Sequence, residues 1–152
     1  MNFFTAQWWF VDCQSANPKI DPDQAFTKYN TYLKSINKQL PSLPDFFITP
    51  IGLHDFEIRE CRLDRDELEI DLIEPKNGFK KTLSLKGVLV FNKEVDQNNH
   101  SDYQTESIGY HELALGSDKG TVVVSFICNT GSEITVECAL KKFEIELKDS
   151  DM

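Results

Sequence analysis

Residues 56–74 read FEIRECRLDRDELEIDLIE, and the spacing inside this stretch decides the fold. Phe56 and Ile58, then Leu68, Ile70 and Leu72, recur at a period of two, and Glu69 and Asp71 fill the gaps between the last three. That period sends alternate side chains to opposite faces of a strand. Asp64 to Glu67 interrupts the pattern with charge and supplies a turn, so the stretch predicts an antiparallel hairpin with an apolar inner face and a carboxylate outer face.

Toward the C-terminus the same period returns. Strands are expected over Lys80 to Phe91, with Gly87 as a bulge, and over Ile108 to Leu115, Thr121 to Cys128 and Glu133 to Leu147, the last bent near Lys141-Lys142. The turn clusters Gly116 to Gly120 and Asn129 to Ser132 join neighbours, which makes a mostly meander sheet of about six strands the economical topology. The polar stretch Lys93 to Glu106 has no apolar periodicity and reads as an exposed loop.

Toward the N-terminus the period changes to that of a helix. Asp21-Pro22-Asp23-Gln24 has the residues of a capped helix start, and Phe26, Tyr29, Leu33, Ile36 and Leu40 then form one apolar stripe while Lys28, Lys34 and Lys38 face water. Pro41 ends this helix, and Pro44 and Pro50 stiffen the connection into the sheet. A shorter helix is expected over Phe3 to Cys13, with Thr5 as N-cap and Phe4, Trp8 and Val11 on one side. The fold class is α+β, N-terminal helices packed on an antiparallel sheet. Residues 1–152 form a single domain, 1–45 helical and 53–147 in the sheet.

Composition narrows the function. Sixteen basic against 25 acidic residues give −9, and Asp55 to Glu74 alone carries nine acids against three arginines. Such a balance repels nucleic acid and anionic membranes and favours basic partners. No apolar run reaches the length of a spanning helix, and the N-terminus lacks the basic start of a signal peptide, so a cytoplasmic location is expected. Cys13, Cys61, Cys128 and Cys138 show no paired spacing and read as free thiols; the alternative is a Cys128–Cys138 disulfide across a hairpin.

Two histidine pairs invite chemistry. His54-Asp55 can share a proton or bind a metal, or can secure the strand start through hydrogen bonds, since adjacent strand residues point to opposite faces. His111-Glu112 can add to His54 if their strands are neighbours, but His111, in phase with Leu113 and Leu115, reads first as a core or half-buried histidine satisfied by a neighbour. No nucleophile elbow, phosphate loop or metal-ligand spacing occurs, so neither a catalytic centre nor a cofactor is expected. The acidic hairpin, with Asp64, Asp66, Glu67, Glu69, Asp71 and Glu74, is the expected partner-binding surface, set against a solvated outer face that resists edge pairing.

The opening Met1-Asn2-Phe3-Phe4-Thr5 with Trp8, and Leu53-His54-Asp55-Phe56-Glu57-Ile58 before the charged hairpin, resemble a group of small bacterial proteins with an FT-x-x-W start and an LHD-x-E-I strand. These are similar to immunity proteins of bacterial toxin systems, including contact-dependent growth inhibition. The resemblance implies binding and neutralisation of a toxin domain, often a basic nuclease, and an architectural role for the LHD-x-E-I residues. An aromatic such as Trp9 or Tyr103 is then the expected apolar anchor. Beside this immunity reading stand two others: a non-catalytic structural or housekeeping domain, and a metal-dependent enzyme using His54, Asp55 and His111.

Overall fold

The hairpin forms where the alternation places it. In the computed structural model, which describes residues 3–5, 22–95 and 105–150, β1 (Glu57–Asp64) pairs antiparallel with β2 (Glu67–Ile73), Leu63 opposite Leu68 and Arg62 opposite Glu69. Leu68, Ile70 and Leu72 are fully buried. Next come β3 (Lys80–Lys86), β4 (Val88–Glu94), β5 (Ile108–Leu115), β6 (Thr121–Cys128), β7 (Glu133–Ala139) and β8 (Glu144–Asp149).

These eight antiparallel strands make two four-stranded sheets, ordered β1-β2-β3-β8 and β4-β7-β6-β5, not one sheet of about six. The difference has two sources. At Gly87 the chain leaves the first sheet and enters the second, so the expected Lys80 to Phe91 strand is two strands, β3 and β4. The residues between Ala139 and Glu144 make the same transfer in reverse, dividing the expected Glu133 to Leu147 strand into β7 and β8. The meander holds within β1-β2-β3 and within β5-β6-β7, and the corner pairs β3 with β8 and β4 with β7.

Gly87 is required at that corner. Its φ is +81°, a region that side chains with a Cβ adopt only at a cost. An added Cβ would stand 2.9 Å from Lys142 Cβ and 3.0 Å from the Lys142 carbonyl carbon. The two bent strands are tied together there by Ala139 N–H donating to Gly87 O at 2.8 Å.

The helical stripe becomes α1 (Pro22–Ile36), followed by a 3-10 turn, Asn37–Gln39. Asp21, its expected cap, lies outside the described residues. So do most of the expected Phe3 to Cys13 helix, including Trp8 and Trp9, and the loop residues His100 and Tyr103; the described Phe3, Phe4 and Thr5 are not helical. A short α2 (Asp45–Ile48) occupies the connection that Pro44 and Pro50 were expected to stiffen. Pro44 sits just before it, a position where proline's fixed φ does not hinder a helix start.

The helix covers an edge. β5 ends the second sheet, and edge amides left bare invite pairing with another chain. Here Leu113 N–H donates to the Tyr29 hydroxyl at 2.8 Å and Leu115 N–H to the Tyr32 hydroxyl at 2.9 Å, from residues three apart on α1. His111 N–H donates to Pro50 O, and Ile108 N–H to Phe56 O ahead of β1. Phe3 and Phe4 stack on the same helix, their amides donating to Glu112 Oε2, and Phe4 lies parallel to Tyr110 at 5.5 Å.

Two outcomes follow for stability. Gly87→Ala should lower the unfolding free energy by about 2 kcal/mol through strain and the Lys142 clash, read by chemical denaturation. Tyr29→Phe, which leaves the buried Leu113 amide without an acceptor, should cost about 1–3 kcal/mol and raise the exchange rate of that amide above those of its β5 neighbours.

Candidate functional site

Strand register determines which carboxylates share a surface. On the outer face of the first sheet three rows run across the strands: Asp64, Glu67, Lys86, Glu144; then Arg62, Glu69, Ser84, Glu146; then Glu60, Asp71, Thr82, Lys148. Seven carboxylates stand there with three cations, and Arg62 is the hub. Its guanidinium donates to Asp71 Oδ1 at 2.9 Å, Glu69 Oε2 at 3.1 Å and Glu60 Oε2 at 3.2 Å, with a further bond to Asp71 Oδ2.

This network separates the six expected binding acids. Asp71 is only 3% exposed, held by Arg62 and by the Thr82 hydroxyl at 3.2 Å, so the expectation that it stands on a solvated face is corrected. The Arg62 guanidinium keeps its carboxyl below the ordinary value of 3.8, against the opposing effect of burial. Glu67 accepts from Ser84 Oγ at 2.7 Å and stays half-exposed, as does Glu69. Asp64 and Asp66 are exposed at the hairpin tip. Glu74 begins the opposite turn, its N–H donating to Phe79 O, about 25 Å from Asp66 at the rise of an extended strand. The structure therefore gathers Asp64, Asp66, Glu67 and Glu69, removes Asp71 from the surface and places Glu74 elsewhere.

Glu144 and Glu146 on β8, and Glu60 on β1, join this face without having been expected there. The alternation of Glu144, Ile145, Glu146 and Leu147 was visible, but only the return of β8 beside β3 brings it to the hairpin.

The histidines do not converge. His54 and Asp55 precede β1, and Asp55 has φ +67°, a left-handed turn that aspartate tolerates. That turn brings His54 Nε2 within 3.5 Å of Asp55 Oδ1, contrary to the expectation of opposite faces. His54 Nδ1–H donates to Gly109 O at 2.7 Å, and Asp55 N–H to Ile108 O at 2.8 Å. Both residues thus secure the start of β1 to the start of β5, beside Leu53, which is fully buried.

His111 lies in the core. It is fully buried, its ring parallel to Phe47 at 4.5 Å and its Nε2–H donating to Phe47 O at 3.0 Å. Gly52 allows α2 to approach, since a Cβ there would overlap Phe46 O at 1.7 Å. His111 Nδ1 has no hydrogen-bond partner among the described residues, and burial lowers the pKa of this ring to about 4. Among those residues no group of three or more His, Cys, Asp or Glu is placed to hold a metal ion.

Cys61, Cys128 and Cys138 are free thiols; burial pushes Cys138 up to about 12 and raises the other two as well. Cys138 stands opposite Val122, six residues along β6 from Cys128. That is about 20 Å of strand, beyond the reach of a disulfide. Among the described residues no helix is long and apolar enough to cross a membrane.

No family model matches this chain, and no curated protein matches it either.

Acid should weaken the fold over two pH ranges. A histidine that charges at 6.5 when unfolded but at about 4 when folded stabilises the fold above pH 6.5, and that contribution falls away as pH drops toward 4. The gap is worth about 3 kcal/mol. Asp71, with its carboxyl lowered, adds a loss at lower pH, through the carboxylate range. Denaturation midpoints measured across pH 3 to 8, about the range in which acid stability is set, should show both slopes, and His111→Phe should abolish the upper one alone.

Proposed function

We propose that this protein is an inhibitor of the immunity type, which binds and neutralises a basic bacterial toxin domain through the carboxylate face of its first sheet. The observation that carries the reading is the placement of Asp64 and Asp66, exposed at the hairpin tip, ahead of Glu67 and Glu69 and across the sheet from Glu144 and Glu146. Carboxylates arrayed in rows steer a basic partner at long range and form charge-assisted pairs with its Lys and Arg on contact. A nuclease is a fitting target, because a cleft that binds a phosphate backbone also attracts such an array.

Within this reading the acids have different tasks. Asp71 and Arg62 hold the outer face in shape from within, and Asp64, Asp66, Glu67 and Glu69 meet the partner. The resemblance of Leu53 to Ile58 to immunity proteins implies an architectural role for these residues, which the bonds of His54 and Asp55 to backbone carbonyls support. The cytoplasm, where a translocated toxin domain acts, is the compartment this function requires.

The test is co-expression with the product of the adjacent upstream gene, then size-exclusion chromatography and titration of the purified pair. A one-to-one complex that rescues growth is expected. Asp64→Lys with Asp66→Lys should weaken it by about 100-fold or more through charge repulsion with the unfolding midpoint retained. Asp71→Lys would instead unfold the face by burying a cation beside Arg62. Absence of both complex and rescue would favour a structural domain.

A further inference from the structure

The four outer strands of the two sheets are finished in different ways. β5 is covered by the tyrosines of α1 and by Pro50 and Phe56. β1 carries Arg59, Glu60, Arg62 and Asp64 with a bulge between Ile58 and Glu60, and β8 carries Glu144, Glu146, Lys148 and Asp149. Charges and bulges of this kind are the usual guards of an open edge.

β4 is different. Among the described residues it has β7 as its one strand neighbour, and its sequence begins Val88-Leu89-Val90-Phe91. Leu89 is 59% exposed, Val90 53% and Val95, just past its end, 70%, so the strand and the residue after it show apolar side chains to solvent. Its guards are weak: the bulge falls at Val88 to Val90, leaving Val90 to Glu94 in regular register with Glu137 to Glu133. Lys93 is turned to Glu106, Nζ to Oε1 2.6 Å. Among the described residues, Val88 alone of this strand bonds backbone outside the second sheet, donating to Asp66 O at 2.8 Å.

That bond gives the edge its charge. It sets the hairpin tip, with Asp64, Asp66 and the half-exposed Leu63, at the start of β4; Glu94 stands at the other end, and Glu137 lies opposite Val90 on β7. Amides and carbonyls with no partner among the described residues, apolar side chains in the middle and carboxylates at the rim suit one kind of occupant. We propose that β4 accepts an extended basic segment of a partner protein as a fifth strand of the second sheet. Backbone hydrogen bonds would supply affinity, Leu89 and Val90 the apolar contact, and Asp64, Asp66, Glu94 and Glu137 the choice of a lysine- or arginine-bearing strand. A second copy of the chain fits less well, because two acidic rims would meet.

The inference rests on the inhibitor reading for the basic character of the partner, and its test needs no toxin. The full chain is titrated with a blocked peptide of about eight residues, the length of a typical strand, alternating lysine and valine, and followed by amide chemical shifts and hydrogen exchange. Alternate amides from Val90 to Val95 should become protected, a glutamate–valine peptide should not bind, and Val90→Lys should weaken binding by about tenfold. Leu89→Lys, at a second exposed position, should do the same, with unchanged melting in both variants. Four results would overturn the proposal: no binding, equal binding of the acidic peptide, protection confined to the outer face of the first sheet, or protection of the β4 amides by self-association without peptide. A toxin complex that leaves β4 amides unprotected would remove this edge and keep the inhibitor; peptide binding without any toxin complex would do the reverse.

Discussion

Two strands must turn together at one corner, and the rest of the architecture depends on it. β3 becomes β4 at Gly87 and β7 becomes β8 after Ala139, and the bends face each other closely enough that a single Cβ at Gly87 would meet Lys142 at 2.9 Å. Because both segments transfer at the same level, pairing continues from one sheet to the next, β3 with β8 and β4 with β7. The apolar faces of the two sheets then close on a shared core from Leu68 and Ile70 through Val124, Phe126 and Val136 to Phe143. Burial of that core supplies the dominant stabilisation, but it is available only to a chain that can make the bend.

A corner of this kind produces edges, and their treatment organises the rest of the molecule. The helix is a cover as well as a core element: Tyr29 of its stripe and Tyr32 beside it present their hydroxyls to the outward amides of β5. Burial raises the pKa of the Tyr29 hydroxyl, chiefly by desolvation, so that it stays a neutral hydrogen-bonding group. The LHD turn performs a parallel task at the start of the same strand, with backbone and the His54 ring bonding Ile108 and Gly109. Cover on one edge and charge on two others make the apolar first half of β4 conspicuous by comparison.

Electrostatics on the first sheet follow from the same geometry. A carboxylate in the middle of a sheet face is desolvated by its neighbours and needs a partner, which Asp71 finds in Arg62. Carboxylates at the tip keep their water and their freedom to meet another protein. Formal charge therefore overstates what the face presents, since one arginine engages three acids, while β8 contributes two that the hairpin alone lacks.

Periodicity made much of this legible. The hairpin, the buried Leu68, Ile70 and Leu72, the apolar stripe of α1, and most strand positions follow from local alternation, because side-chain direction is set by backbone geometry within a few residues. The α+β class and the net acidity belong to that same layer. What the chain could not reveal locally is how strands associate. Gly87 reads alike as a bulge or a corner, and only contact with Lys142, 55 positions away, distinguishes them. His111 reads as a core histidine before a ligand, and Phe47, stacked on its ring, is the contact the sequence could not name. Asp71 and Asp64 are chemically identical along the sequence, yet one is buried under Arg62 and the other exposed at the tip. The sequence by itself determined which residues face together along each strand; tertiary structure decided which faces are covered, because burial and pairing are contacts between segments whose separation local rules do not encode.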